Sequence, residues 1–128
     1  MRTRITTHET PHYIERRLRF YAGAMTGSTV SIGNDYRIGD LPADHVKRWR
    51  DDVNRAKATG REMYAVWSYD TPIGWAVGGE TPYMPPVRYS ITTTRHQDLV
   101  MRGFNAQAFT FTWPRAVPVG TYGSREGW

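Results

Sequence analysis

The chain has 128 residues, 39% of them hydrophobic, a formal net charge of +5 and no cysteine. That length suits one domain with a modest core; no apolar run is long enough to span a membrane, and disulfides, thiolate nucleophiles and cysteine-held zinc or iron–sulfur centres are excluded. The positive balance favours an anionic partner such as nucleic acid, although among the 17 basic residues only Lys47 and Lys57 are lysine, a skew that GC-rich codon usage produces as readily as phosphate binding does.

Residues 1–12 are polar, contain Pro11, and read as a short strand or loose arm. Their basic residues precede no apolar segment, so they do not form a secretory signal, and the expected location is the cytoplasm. From Tyr13 to Ile32 two periods compete. Ile14, Leu18 and Tyr21 fit a helical face, whereas Leu18, Phe20, Ala22 and Ala24 alternate with polar residues as a half-buried strand does. Gly23, Gly27 and the β-branched run Thr29-Val30-Ser31-Ile32 favour strands with a turn near Thr26-Gly27-Ser28.

After the turn Gly33-Asn34-Asp35 comes the most secure element, a helix over 42–59. Asp40 or a neighbour is the expected cap, Pro42 suits the first turn and Gly60 the stop. Val46, Trp49, Val53 and Ala56 recur as a core-facing stripe. Met63–Trp67 and Ile73–Val77 then read as a hairpin turning at Asp70-Thr71-Pro72, followed by a proline-rich loop and a third strand over Val87–Thr92. Thr94-Arg95-His96-Gln97 has the form of a capping box. It predicts a short helix, with Leu99, Val100 and Met101 as buried candidates and Gly103 as the stop. Phe109–Trp113 alternates as a last strand does, and the Pro/Gly-rich tail over 114–128 is expected to be flexible.

Three constellations bear on chemistry. His8-Glu9-Thr10-Pro11-His12 matches the H-E-x-x-H pattern, but Pro11 lies inside the span that must be helical, so two solvated histidines are the stronger expectation and no metal is assigned. Ser68, Asp70 and His96 supply the residue types of a hydrolytic triad. Ser68 lacks the glycine-flanked elbow of a nucleophile, and Asp70 before Thr-Pro suits a turn acceptor.

The third constellation carries more. Thr92, Thr93 and Thr94 lead into a helix start beside Arg95 and His96, and Tyr69 on the neighbouring hairpin can close one side. Free helix amides, hydroxyls and a cation form an anion seat, although capping and β-propensity explain much of the same pattern. The aromatics Tyr64, Trp67, Tyr69, Trp75, Tyr83 and Tyr89 stack bases if the sheet face is open. They are core if it is covered, which is the more frequent outcome in a small domain.

The pair S-Y-x-T-x-I and Y-S-x-T-T-x-x-H, at Ser68, Tyr69, Thr71, Ile73 and then Tyr89, Ser90, Thr92 or Thr93, Thr94 and His96, resembles a family of small bacteriophage- and plasmid-encoded proteins that share a domain of unknown function. Phe20, Gly23, Met25 and Gly27 are similar to such proteins too, so the resemblance covers roughly residues 18–103. It implies a small α+β domain in a bacterial cytoplasm, with the arginine content suiting a phage of an actinobacterial host. It adds no catalytic residue.

The expectation is therefore a single α+β domain over 1–128, a mainly antiparallel sheet with two helices. The expected function is that of a phage-type accessory protein acting by binding rather than catalysis, with nucleic acid first and a host protein second, and no cofactor. The alternative from another class is a small hydrolase or phosphate-handling enzyme centred on His96. The binding candidates are Tyr69, Thr92, Thr93, Thr94, Arg95 and His96.

Overall fold

The structure, a computed structural model, describes residues 4–30, 37–87 and 90–105. The expected strand at Phe109–Trp113, the tail and Tyr89 lie outside them. The domain is α+β. Four antiparallel strands, β1 (Phe20–Ala22), β2 (Met25–Thr29), β3 (Met63–Ser68) and β4 (Thr71–Val77), form one sheet in the order β1-β2-β3-β4. Three helices accompany it: α1 (Thr10–Glu15), α2 (Ala43–Thr59) and α3 (Ile91–Asn105).

The helix missing from the sequence reading is α1. The sequence favours a strand over Tyr13–Glu15, yet a 3-10 turn over Thr7–Glu9 runs straight into helix there. Pro11 sits in the first turn of α1, where a missing N–H costs nothing. Thr6 and Glu9 form a reciprocal cap, with the Thr6 amide donating to the Glu9 carboxylate at 2.9 Å. The strand alternation resumes at Phe20, so both periods in this stretch are real and meet at Arg17, whose φ is 56°.

The sheet is covered on both faces. Ile14 of α1 and Val100 and Phe104 of α3 pack with Phe20, Ala22, Met25, Tyr64, Val66 and Ile73 on one side. On the other, Trp49, Val53 and Ala56 of α2 pack with Ala65, Trp67, Trp75 and Val77. Every residue of β3 and β4 is buried as a result, which is why these strands read as apolar runs rather than as alternation.

α2 ends at Gly60 as expected, with φ 70° in the left-handed region. Its start differs. Pro42 immediately precedes the helix in extended conformation, and its carbonyl accepts the His45 and Val46 amides at 2.9 Å. Asp40 does not cap; its amide instead donates to Thr71 Oγ1 at 2.9 Å, tying the loop to β4.

Trp49 stands edge-on to Trp67 and Trp75, with centroids 6.0 and 4.8 Å away. One turn along, Asp52 is 3% exposed. Its carboxylate accepts from Trp75 Nε1 at 2.8 Å, Arg48 Nε at 2.9 Å and Arg55 Nη2 at 2.6 Å. Arg55 continues to Glu80, which also accepts from Arg61 at 2.8 Å. A buried carboxylate with three donors is satisfied, so Asp52 anchors α2 to the sheet.

The hairpin forms, with one shift in its turn. Ser68 pairs with Thr71, so Tyr69 and Asp70 make a two-residue turn, and Pro72 lies inside β4 opposite Trp67, beside an irregularity in register. Among the described residues no helix is long and apolar enough to cross a membrane.

Candidate binding site at the hairpin corner

The expected third strand over Val87–Thr92 does not form in the described residues. Val87 is irregular and α3 already begins at Ile91. The reason is Ser90, whose hydroxyl accepts the Thr93 amide at 3.2 Å while its carbonyl accepts the Thr94 amide at 2.9 Å. Ser90 therefore starts the helix four residues before the expected Thr94.

The capping box is overturned with it. Gln97, 1% exposed, donates through Nε2 to Val87 O at 2.9 Å and holds the entering chain instead of reaching back to Thr94. Arg95 and His96 are accordingly not the first two helical positions. Asp98 pairs with Arg102 at 3.0 Å. Gly103 is not a stop. It sits inside α3 where a Cβ would lie 2.6 Å from the Ile14 Cβ, so it lets α1 and α3 cross closely.

With this earlier start, α3 has Thr93 and His96 pointing inward and Thr92 and Arg95 outward. Ser68, the last residue of β3, meets them. Its hydroxyl lies 2.7 Å from His96 Nδ1 and 3.1 Å from Thr93 Oγ1, and Ser90 donates to the same Thr93 oxygen at 3.3 Å. Ser68, Thr93 and His96 are 2%, 6% and 6% exposed. Burial pushes the His96 pKa down from its ordinary value, so the imidazole is neutral at pH 7. This neutral network fastens the start of α3 to the end of β3.

Tyr69 follows Ser68 and is 59% exposed. Its φ is 58°, a left-handed conformation that a bulky residue rarely takes. Its amide donates to Ala24 O at 2.7 Å, and its ring lies 6.4 Å from the His96 ring. The two-residue turn and that hydrogen bond hold the backbone, leaving the phenol displayed at the corner. Ile91, 76% exposed, stands at the start of α3 beside Ser90.

The six sequence candidates therefore divide. Tyr69, Thr92 and Arg95 are on the surface, Thr94 is half-buried, and Thr93 and His96 are buried beneath them. Ser90 as cap and Gln97 as brace were missed in these roles. The S-x-x-T spacing from Ser90 to Thr93 is the signal that finds the first.

Of the triad types, Ser68 and His96 come together but Asp70 does not. Its side chain is 78% exposed and 3.8 Å from Arg37. The Tyr69 amide, which follows the serine and is the position of an oxyanion donor, is committed to Ala24. A serine this buried, with no carboxylate bonded to the histidine among the described residues, positions a helix better than it attacks a substrate. His8 and His12 are both exposed, and among the described residues no three His, Asp or Glu side chains are placed to hold a metal. Comparison of the chain with family models, with curated proteins and with solved structures finds no match.

Proposed function

We propose that this chain acts by binding, that its ligand is nucleic acid, and that Tyr69 with the outer face of the first turns of α3 makes the contact. The observation that carries the reading is Tyr69. Both sheet faces are covered, so Tyr64, Trp67 and Trp75 are core, and Tyr83 is held half-buried between Arg48 and His45. Of the aromatics that were candidates to stack bases, Tyr69 is the one the described residues display, and its strained backbone keeps it so. Base–aromatic stacking contributes about 1–3 kcal/mol per base and tolerates any sequence. Arg95, exposed on the same stripe as Thr92, adds a cation for phosphate, and the formal charge of +5 favours approach of a polyanion. In keeping with the family resemblance, the proposal includes a bacteriophage accessory role in the cytoplasm of a bacterial host.

A host-protein partner is the second reading. It is favoured by Ile91, whose 76% exposure next to the same network gives the corner an apolar contact. Fluorescence anisotropy with short single-stranded DNA and RNA separates the two. Binding should weaken steeply with salt, and Tyr69→Ala should lose roughly fivefold or more in affinity, with a smaller loss for Arg95→Ala. No binding of either nucleic acid at low salt would refute the first reading and promote the second.

A further inference from the structure

The geometry points to a separate phosphate-binding position built on Arg17, at the far end of α3 from the hairpin corner. Arg17 lies in the connection Arg16-Arg17-Leu18-Arg19 between α1 and β1. It closes α1 in the left-handed conformation, with φ 56°, its amide donating to Ile14 O at 3.0 Å and the Leu18 amide to Tyr13 O at 2.9 Å. Glycine is the usual residue for that closure, because a side chain there is strained. The arginine is held nevertheless. Its guanidinium carbon stands 5.9 Å from the Tyr64 ring centre and 5.0 Å from that of Phe104, between β3 and the end of α3.

What distinguishes this cation is that it is partly buried and yet has no acid partner among the described residues. Arg48 and Arg55 have Asp52, Arg61 has Glu80, Arg102 has Asp98 and Lys47 has Asp51. Arg17 has no carboxylate partner among the described residues, and its Nη1 is buried without any hydrogen-bond partner. Burial lowers its pKa, yet a guanidinium remains charged at neutral pH. The chain thus keeps a strained backbone and a desolvated charge at one residue, and the two aromatic faces are the one compensation in view. An anion with several acceptor oxygens supplies the missing partner and forms charge-assisted bonds to the guanidinium fork. Arg17 as a whole is partly exposed, so a small shift of its side chain brings the buried Nη1 to an anion, and its sequence neighbours Arg16 and Arg19 are exposed cations that raise the local potential. The other buried orphan, Trp49 Nε1, is an uncharged donor packed among tryptophans and calls for no anion. The chemistry recognised is a phosphate group, either on a nucleic-acid strand or on a free phosphorylated compound.

The test uses the full chain with two probes, inorganic pyrophosphate and a short single-stranded DNA, each followed by amide NMR shifts at residues 16–19 and by melting temperature. Wild type should shift with at least one probe. Arg17→Met, which fills the space between the rings without charge, should bind that probe about tenfold or more weakly, and its ligand-free form should melt higher than wild type. Arg17→Gln serves the same purpose should the methionine variant not fold. Loss confined to pyrophosphate identifies a free phosphorylated compound, and loss with DNA identifies the strand. Tyr69→Ala should leave pyrophosphate binding unchanged, which separates this site from the hairpin corner. An unshifted wild type with both probes, or equal affinity in the uncharged Arg17 variants, overturns the proposal.

Discussion

The two faces of the sheet bury polar groups in different ways. Under α2 the buried polar group is an ion, Asp52, and it is matched: Arg48 and Arg55 pair with it and Arg55 continues to Glu80, behind three packed tryptophans. Under α1 and α3 the core is mostly aliphatic. Its buried polar groups are neutral: Ser68, Thr93, His96 and Gln97 gather about the start of α3, and Thr10 lies in α1. Each face keeps one buried orphan, Trp49 Nε1 under α2 and Arg17 Nη1 on the other, but the strained or charged residues out of balance belong to this second face: Tyr69 displayed in a left-handed turn, Arg95 exposed on α3, and Arg17 charged with no acid partner among the described residues. A matched network spends its hydrogen bonds internally and holds a fold together. Groups left strained or uncompensated cost stability, and that cost marks where a ligand is expected.

If the α2 face is the structural one, its variants must show the largest losses of stability. Trp49→Ala should destabilise the fold by about 3–5 kcal/mol in denaturant titration, because the ring fills the space between two other tryptophans. A loss below about 1 kcal/mol would break the comparison. Asp52→Asn comes next, at about 2 kcal/mol, since it keeps an acceptor for Trp75 Nε1 but removes the charge facing Arg48 and Arg55. High salt should shrink that difference, the arginines being partly exposed.

The hairpin face should respond more mildly. Ser68→Ala leaves His96 Nδ1 and the Thr93 hydroxyl short of a buried partner and should cost about 1–2 kcal/mol. His96 gives the same face a pH dependence. Its folded pKa is lowered, so the native imidazole resists a proton that the unfolded chain accepts below about pH 6.5. Stability is unaffected above that pH. It should fall as the pH drops through it, by up to about 1.4 kcal/mol per pH unit, until the folded pKa is reached. His96→Gln should flatten this part of the profile; a slope that persists in the variant assigns it elsewhere. The smallest effect has the opposite sign. Tyr69→Gly relieves the left-handed strain and should stabilise the fold by about 1 kcal/mol while losing nucleic-acid binding. A variant that is both more stable and fully binding would detach Tyr69 from function.

Local pattern carried most of the elements. The Val46-Trp49-Val53-Ala56 stripe and Gly60 define α2 through a period and a stop that need no tertiary partner. The hairpin follows from two apolar runs about a polar turn. Two of the failures share a cause, which is that one segment carried two compatible signals. Tyr13–Glu15 belongs to a helix whose first turn tolerates Pro11, although the alternation that begins after it suggested a strand. Ile91-Thr92-Thr93-Thr94 is β-branched and reads as strand, but the Ser90 hydroxyl and the inward faces of Thr93 and His96 make it helix. Local propensity differs there by tenths of a kcal/mol, and packing on the sheet outweighs it.

The sequence by itself determined an α+β domain, its positive charge, the α2 stripe and the hairpin. Each rests on composition or on contacts close along the chain. Only the tertiary structure decided that both sheet faces are covered, that Ser68 bonds His96 while Asp70 turns away, that Asp52 is matched and that Arg17 is not. Burial, and with it the cost of a charge or an unmade hydrogen bond, depends on which distant residues pack around a group. Neither residue type nor spacing carries that information.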